Sequence, residues 1–192
     1  MNTGPSVHIA LVTRAISGDS FAKDILINDW YKRVYNYALR FLGDHDLAME
    51  VSQLTFITVH GKIENLKDPE KFRSWLYTIL ANQCRNQKRR QKGAALSDLS
   101  DGKASNMVDL PCKNADPEQQ MIQQEATDQL EQAILRLPEM QREVLIMKEF
   151  EGLKFREIAE SLGISENTAK SRLYYAFKHL KETLSGYSYH SK

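Results

Sequence analysis

The chain has 192 residues, 42% of them hydrophobic, enough for one packed domain or two small ones and too apolar for disorder throughout. Its formal net charge is only +1, so bulk charge makes no case for a nucleic-acid partner, and that case rests on where the charges sit. Two cysteines, Cys84 and Cys112, and five scattered histidines make neither metal-ligand spacing nor a disulfide framework, as in a reducing cytoplasm, and the chain lacks a signal pattern or an apolar run near the roughly 18 residues of a membrane span.

Val7 to Ile16 reads as a short helix ending at Gly18, with Asp19 or Ser20 positioned to cap the next helix. From Phe21 to Leu42 the residues Phe21, Ile25, Leu26, Trp30, Val34, Tyr35, Ala38, Leu39 and Leu42 track a helical stripe that Gly43-Asp44 interrupts. A second helix is expected from about Asp46 to Lys62, with Leu47, Val51, Leu54, Phe56 and Ile57 inward and Glu50 and Gln53 on a more polar side. Glu64 to Asp68 is a loop. Asp68-Pro69 then gives a cap followed by proline at the first helical position, opening a helix through Phe72, Trp75, Leu76, Ile79 and Leu80 to about Gln91.

Residues 93–116 lose this periodicity and scatter Gly, Ser, Asp, Asn and Pro, the composition of a flexible linker. Such a segment spans roughly 80 Å extended and about 25–30 Å as a relaxed coil, long enough to let two modules hold sites more than a DNA turn apart. Asp116-Pro117 repeats the cap-then-proline signal and starts a helix to about Leu137, and Pro138 opens another to about Phe150. With no strand pattern of useful length, the expected fold is all-α: two small helical domains, residues 1–92 and 117–185, joined by the linker, with 186–192 as a tail.

The C-terminal domain holds the most informative stretch, Lys154 to Leu184. Ile158, Ala159 and Leu162 stripe a first helix, Gly163 supplies a left-handed corner, and Ser165 can cap a second helix. That second helix commits Ala169, Leu173, Ala176, Phe177, Leu180 and Leu184 to packing, and leaves Asn167, Thr168, Lys170, Ser171, Tyr174, Tyr175 and Lys178 on or near the outer face. This is a helix-turn-helix with a groove-reading surface, although any helical hairpin shares a glycine corner and a solvated basic face.

In the N-terminal domain, Phe72-Arg73-Ser74-Trp75-Leu76-Tyr77 precedes Asn82, and the basic run Arg85 to Lys92 continues on the same helix. Aromatics beside cations suit single-stranded DNA, whose bases stack on π faces while cations track the phosphates. Trp75 at helical spacing with Phe72, Leu76 and Ile79 equally suits a core, and a basic run equally suits a solvated helix end.

These residues carry a family resemblance. Tyr35 to Arg40, Ala48 to Phe56, Lys71 to Tyr77 with Asn82, then Leu137-Pro138-Glu139, Phe155 to Ala159 and Ser171-Arg172-Leu173 occur in the order seen in extracytoplasmic-function sigma factors. The resemblance implies that the N-terminal domain docks on the clamp helices of bacterial core RNA polymerase through Glu50, Val51, Gln53, Thr55 and Phe56. It implies recognition and opening of the minus-ten promoter element by Glu64, Asn65, Leu66, Lys67, Asp68, Lys71, Asn82 and Arg85, with a base extruded into the loop from Glu64 to Lys71. The C-terminal domain would sit on the polymerase flap and read the minus-thirty-five element in the major groove with Asn167, Thr168, Lys170, Ser171, Tyr174, Tyr175 and Lys178. An anti-sigma protein is a further implied partner, and no cofactor or membrane insertion is implied.

Two departures stand out. Leu54 occupies a position where the family often has a second acid, and Tyr175 and Phe177 stand where it often has arginines. No glycine-rich phosphate loop, nucleophile constellation or metal spacing points to an enzyme. The competing expectation is a free-standing helix-turn-helix regulator whose N-terminal domain dimerises or senses.

Overall fold

A computed structural model describes residues 5–97 and 117–187, so the expected linker beyond Ser97 and the tail beyond Tyr187 lie outside the described residues. The described residues form α1 (Pro5–Ile16), α2 (Ser20–Leu42), α3 (His45–Lys62), α4 (Phe72–Ser97), α5 (Pro117–Arg136), α6 (Glu139–Leu145), α7 (Phe155–Leu162) and α8 (Glu166–Tyr187). Short 3-10 turns, Ile63–Asn65 and Pro69–Lys71, join α3 to α4, and a π turn, Ile146–Phe150, comes after α6. No strand occurs among the described residues. Helix α4 continues through Gly93 to Ser97, past the point where apolar periodicity fades.

Caps set α2 and α3. The Asp19 carboxylate accepts from Ala22 N at 3.1 Å to open α2, and Asp44 accepts from Leu47 N at 2.9 Å to open α3. Between them Gly43, at φ 73°, ends α2 with its N–H on Leu39 O at 2.8 Å. Two caps back to back force an antiparallel hairpin, on which α4 lays the face made by Phe72, Leu76, Tyr77, Leu80, Ala81 and Cys84. Rings fill the join: Trp30 meets Phe72 at 5.7 Å and Tyr77 at 6.2 Å, edge to face. The Trp30 indole donates to His8 Nε2 at 2.8 Å, which requires a neutral imidazole, and burial holds that ring's pKa below its usual value. That contact pins α1.

Three inward assignments change. Phe21 is 66% exposed and Ile57 68% exposed, because the buried faces turn through Ala22 and Leu26 on α2 and through Val51, Thr55 and Val59 on α3. Phe177 is 48% exposed, one position past the inward line Ala169, Leu173, Ala176 and Leu180.

The C-terminal helices pack onto the N-terminal unit, and buried apolar residues from both form one contiguous cluster. Helix α7 lies on α4, where Ser161 Oγ donates to Ser74 O at 2.9 Å. Arg142 on α6 donates to Phe41 O at the end of α2, at 2.6 Å. Around this seam run ion pairs: Lys71 with Glu160 at 3.0 Å, Arg85 with Glu143 at 3.5 Å and Lys92 with Glu139 at 2.6 Å.

Glu143 is the costly member. It is 2% exposed and its Oε1 has no hydrogen-bond partner, so Arg85 meets it as a charge and not as a donor. Arg85, Tyr37 and Cys84 face it from the N-terminal unit, Arg172 from α8 and Glu139 from its own helix. Burial pushes its carboxyl up to about 7, against the pull of Arg85 and Arg172.

The glycine corner and the buried acid can both be tested. A side chain at Gly43 would enter left-handed backbone and place Cβ 2.8 Å from Leu135 Cδ1, whereas Cβ at Gly61 meets nothing within 4 Å. Gly43→Ala therefore lowers the unfolding free energy by about 1–3 kcal/mol, and Gly61→Ala leaves it unchanged or raises it by up to about 1 kcal/mol, in urea denaturation. For Glu143, a raised folded-state pKa means that the native state binds the proton more tightly than the unfolded chain. Its contribution is complete below the ordinary glutamate range and is lost as pH rises through about 7. Urea midpoints taken from pH 5 to pH 8 fall more for wild type than for Glu143→Gln, and parallel profiles would show that Glu143 titrates normally.

Candidate nucleic-acid interface

The recognition surface of α8 is built by its caps and its period. Gly163, at φ 64°, turns the corner, and Ser165 Oγ accepts from Thr168 N at 3.0 Å to start the helix. Ala169, Leu173, Ala176 and Leu180 then face inward. Asn167, Lys170, Ser171, Tyr174 and Lys178 fall on the opposite side at helical spacing, all exposed, with Tyr175 beside them. Thr168 stands apart: it is half-buried and its hydroxyl is shared with Ser165 at 2.8 Å, so it braces the turn as well as flanking the face. Tyr174 and Tyr175 meet edge to face at 5.5 Å, and with Phe177 they make this surface aromatic as well as basic.

The second set gathers where α3 hands over to α4. Glu64, Asn65 and Lys67 are exposed on the 3-10 turn and the link after it, whereas Leu66 is enclosed and anchors that link. Of the expected contact residues in this stretch, Leu66 has its side chain in the core. Glu64 is engaged by Lys23 at 2.6 Å, and that hydrogen bond holds its carboxyl below the usual range. Asp68 accepts from Glu70 N at 3.0 Å and shapes the entry to α4. Lys71, at the end of the turn before α4, and Asn82 and Arg85 on α4 then lie along one side, spanning about 20 Å. Asn82 is exposed, and its Oδ1 accepts from Arg85 at 2.7 Å. The two cations on this line are occupied by the C-terminal unit. Lys71 is held by Glu160, whose carboxyl that hydrogen bond lowers, and Arg85 faces Glu143.

The third set, on α3, divides by burial. Glu50 and Gln53 are exposed, with Glu50 Oε2 accepting from Gln87 at 3.1 Å. Val51 and Thr55 are fully enclosed and Phe56 is 7% exposed, so these three support the surface from beneath and do not form it. Thr55 spends its hydroxyl on Val51 O at 2.7 Å. The surface itself consists of Met49, Gln53 and Ile57, one turn apart, flanked by Glu50 and half-buried Leu54. Met49 and Ile57 are apolar side chains left exposed on this side of α3.

Sequence reasoning missed the seam residues Arg73, Tyr77, Arg142, Glu143, Glu151 and Ser161. Tyr77 donates to Glu151 Oε2 at 2.5 Å, Arg73 donates to the Glu151 carbonyl, and Glu151 is pushed up by burial. Their only sequence signal is a polar group at a position where the helical stripe turns inward. That signal names no partner more than 70 residues away along the chain.

Comparison with known proteins agrees with this layout. Residues 26–94 match the family profile described as Sigma-70 region 2, and residues 127–180 match that described as Sigma-70, region 4. The RNA polymerase sigma-H factor of Pseudomonas aeruginosa is 30% identical over 177 residues, covering 91% of this chain and 92% of that protein. The ECF RNA polymerase sigma factor SigW of Bacillus subtilis is 27% identical over 170 residues, covering 87% and 91%. Among solved structures, CnrH, solved in complex with the cytosolic domain of CnrY, superposes with a TM-score of 0.69 at 21% identity, over 93% of this chain and 97% of that one. The sigma factor RpoE of Bartonella quintana, solved with the anti-sigma factor NepR, gives 0.65 at 22% identity, over 84% and 93%. These structures share the fold, and the sequence matches carry the kinship. The chain belongs to the sigma-70 family of RNA polymerase sigma factors, in its extracytoplasmic-function branch.

Proposed function

We propose that this chain is a promoter-specificity subunit: it binds core RNA polymerase and directs initiation by recognising and opening promoter DNA. The observation that carries this reading is the presence, on one chain and in order, of a region 2 unit and a region 4 unit. In this reading the exposed side of α3, made by Met49, Glu50, Gln53 and Ile57, takes the polymerase clamp helices, and the C-terminal unit takes the flap. Helix α8 enters the major groove of the minus-thirty-five element, where Lys170 addresses guanine acceptors and Asn167 and Ser171 reach bases or phosphates. The loop from Glu64 to Lys71 and Asn82 receive an extruded base of the minus-ten element, since a flipped base exposes the face and edge that stacking hides. The polymerase forms the RNA, and this chain supplies the contacts that make one duplex easier to open than another. The cytoplasm, where that polymerase works, is its compartment, and no helix among the described residues is long and apolar enough to cross a membrane.

The docked arrangement sets a condition on this mechanism. Lys71 and Arg85 face Glu160 and Glu143 in the docked arrangement, so their use on DNA phosphates is favoured by α6 and α7 leaving α4. The outer pair is weak: both partners are about half exposed, which places it in the range of about 0–1 kcal/mol. A polymerase that binds the two units at separate places supplies that separation. A protein that covers the α3 surface or holds the units together opposes it, and an anti-sigma protein is the partner proposed for that role. Solved neighbours in such complexes support the fold of the bound state.

Three measurements test this reading. The chain by itself leaves duplex promoter DNA unshifted in a gel and shifts it with core polymerase, whereas a free-standing regulator shifts it unaided. Lys170→Ala lowers transcription dependent on the minus-thirty-five element about tenfold, the size of one lost base contact, and leaves core binding unchanged. Asn82→Ala slows promoter opening several-fold at equal core affinity, read by permanganate reactivity of unpaired thymines. Equal reactivity would remove Asn82 from base capture.

A further inference from the structure

A cleft of about 470 Å³ opens between the two units, lined by Arg33, Asn36, Arg40, Arg73, Phe150 and Glu151. Arg33, Asn36 and Arg40 stand one turn apart along α2, Arg73 comes from the first turn of α4, and Phe150 and Glu151 close the cleft from the π turn of the C-terminal unit. Three guanidinium groups thus converge on one space whose lining contains a single carboxylate.

The partners of these groups do not account for them. Arg40 lies over the Phe150 ring at 4.3 Å, a contact that orients the guanidinium without accepting its N–H groups in the plane. Arg33 similarly lies over Trp30 at 5.3 Å. Arg73 donates to the Glu151 carbonyl, and its Nη1 is 3.9 Å from Glu157. The Nε–H groups of Arg40 and Arg73 are enclosed by protein, so the donors these arginines can offer the cleft are their terminal Nη groups. The Glu151 carboxylate is already an acceptor for the Tyr77 hydroxyl, and burial pushes its carboxyl up, which weakens it as a counter-charge. Arginines held in place, planar donors left over and surplus positive charge are what phosphate recognition requires.

We propose that this cleft binds a small phosphorylated metabolite carrying two or more phosphoryl groups, held between Arg33, Arg40 and Arg73 with the Asn36 amide as a neutral donor. The volume lies in the range of ligand pockets, larger than one phosphate needs and too small for a folded partner. Because the walls come from both units, the ligand binds the docked arrangement in preference to the separated one, and by linkage it favours docking. That consequence rests on the sigma-factor reading above, whereas binding itself does not.

The test uses the full-length chain, with inorganic pyrophosphate as the first probe and inorganic phosphate as the second, at matched ionic strength without divalent cations. Titration calorimetry is expected to give saturable pyrophosphate binding, with phosphate weaker. Arg40→Gln weakens it about tenfold or more, the size of a lost charge-assisted bond, while Lys32→Gln, an exposed charge on α2 outside the cleft, leaves it unchanged. Glu151→Gln removes the carboxylate that lines the cleft and tightens binding. A variant that had merely lost its fold would weaken it, so the pair of opposite shifts identifies the cleft. Absence of saturable binding, equal binding by Arg40→Gln and Lys32→Gln, or binding of single-stranded DNA in place of pyrophosphate would overturn the proposal. Promoter-directed transcription with core polymerase in the absence of any added anion is assayed separately, and its failure would remove the sigma-factor reading while leaving the binding result intact.

Discussion

The carbonyl ends of α2 and α5 converge on one guanidinium, that of Arg142, and the placement of the C-terminal unit depends on it. Arg142 is 5% exposed and donates to Phe41 O, Leu135 O and Leu137 O. These carbonyls belong to helix ends that have no intrahelical donor left, and the negative ends of two helix dipoles point the same way. A cation there meets several demands together, each charge-assisted bond contributing about 1.5–3 kcal/mol against the cost of burying the charge. Burial lowers the Arg142 pKa without threatening its charge, since guanidinium stays protonated in proteins. Leu135 packs over Gly43 at the same corner, so a left-handed glycine and a buried arginine together fix where the two units touch.

Helix α4 has two incompatible uses. One side is core, and an adjoining side, with Lys71 just before the helix and Arg85 on it, serves the seam in the docked arrangement and promoter DNA in the proposed function. The polar groups of the seam are graded accordingly. At the Lys71 end they are solvated and replaceable by phosphate oxygens, while at the Arg85 end the enclosed Glu143 carries a desolvation penalty that the docked state must absorb.

The parts of this architecture visible in the sequence are those set locally. Asp19, Asp68 and Ser165 announce helix starts through short-range side-chain acceptors, and Gly43 and Gly163 mark breaks through backbone that other residues resist. The outer face of α8 is legible because its period is unbroken from Asn167 to Lys178. What escapes is long-range and polar. Glu143, Glu151 and Ser161 look like solvated helix residues until α4 is laid against them, and the inward assignment of Ile57 fails because α3 buries Ser52 and Thr55 instead, both satisfied by carbonyls one turn back. Small hydroxylated residues that bond their own backbone pack as apolar ones do, and composition does not reveal that.

Charge placement explains why such a chain would depend on a larger machine. Affinity for duplex DNA comes mainly from cations that replace condensed counterions, and a chain of net charge +1 has little to spare. Several of its cations are committed internally: Lys71, Arg85 and Lys92 to carboxylates of the C-terminal unit, and Arg142 to helix ends. On α8, Tyr175 and Phe177 are exposed beside Lys170 and Lys178, so that face has shape and stacking capacity but few charges. A reader made in this way discriminates among sequences better than it holds any of them. Holding then falls to the polymerase, which brings both readers to DNA at high effective concentration and turns two weak contacts into one selective complex.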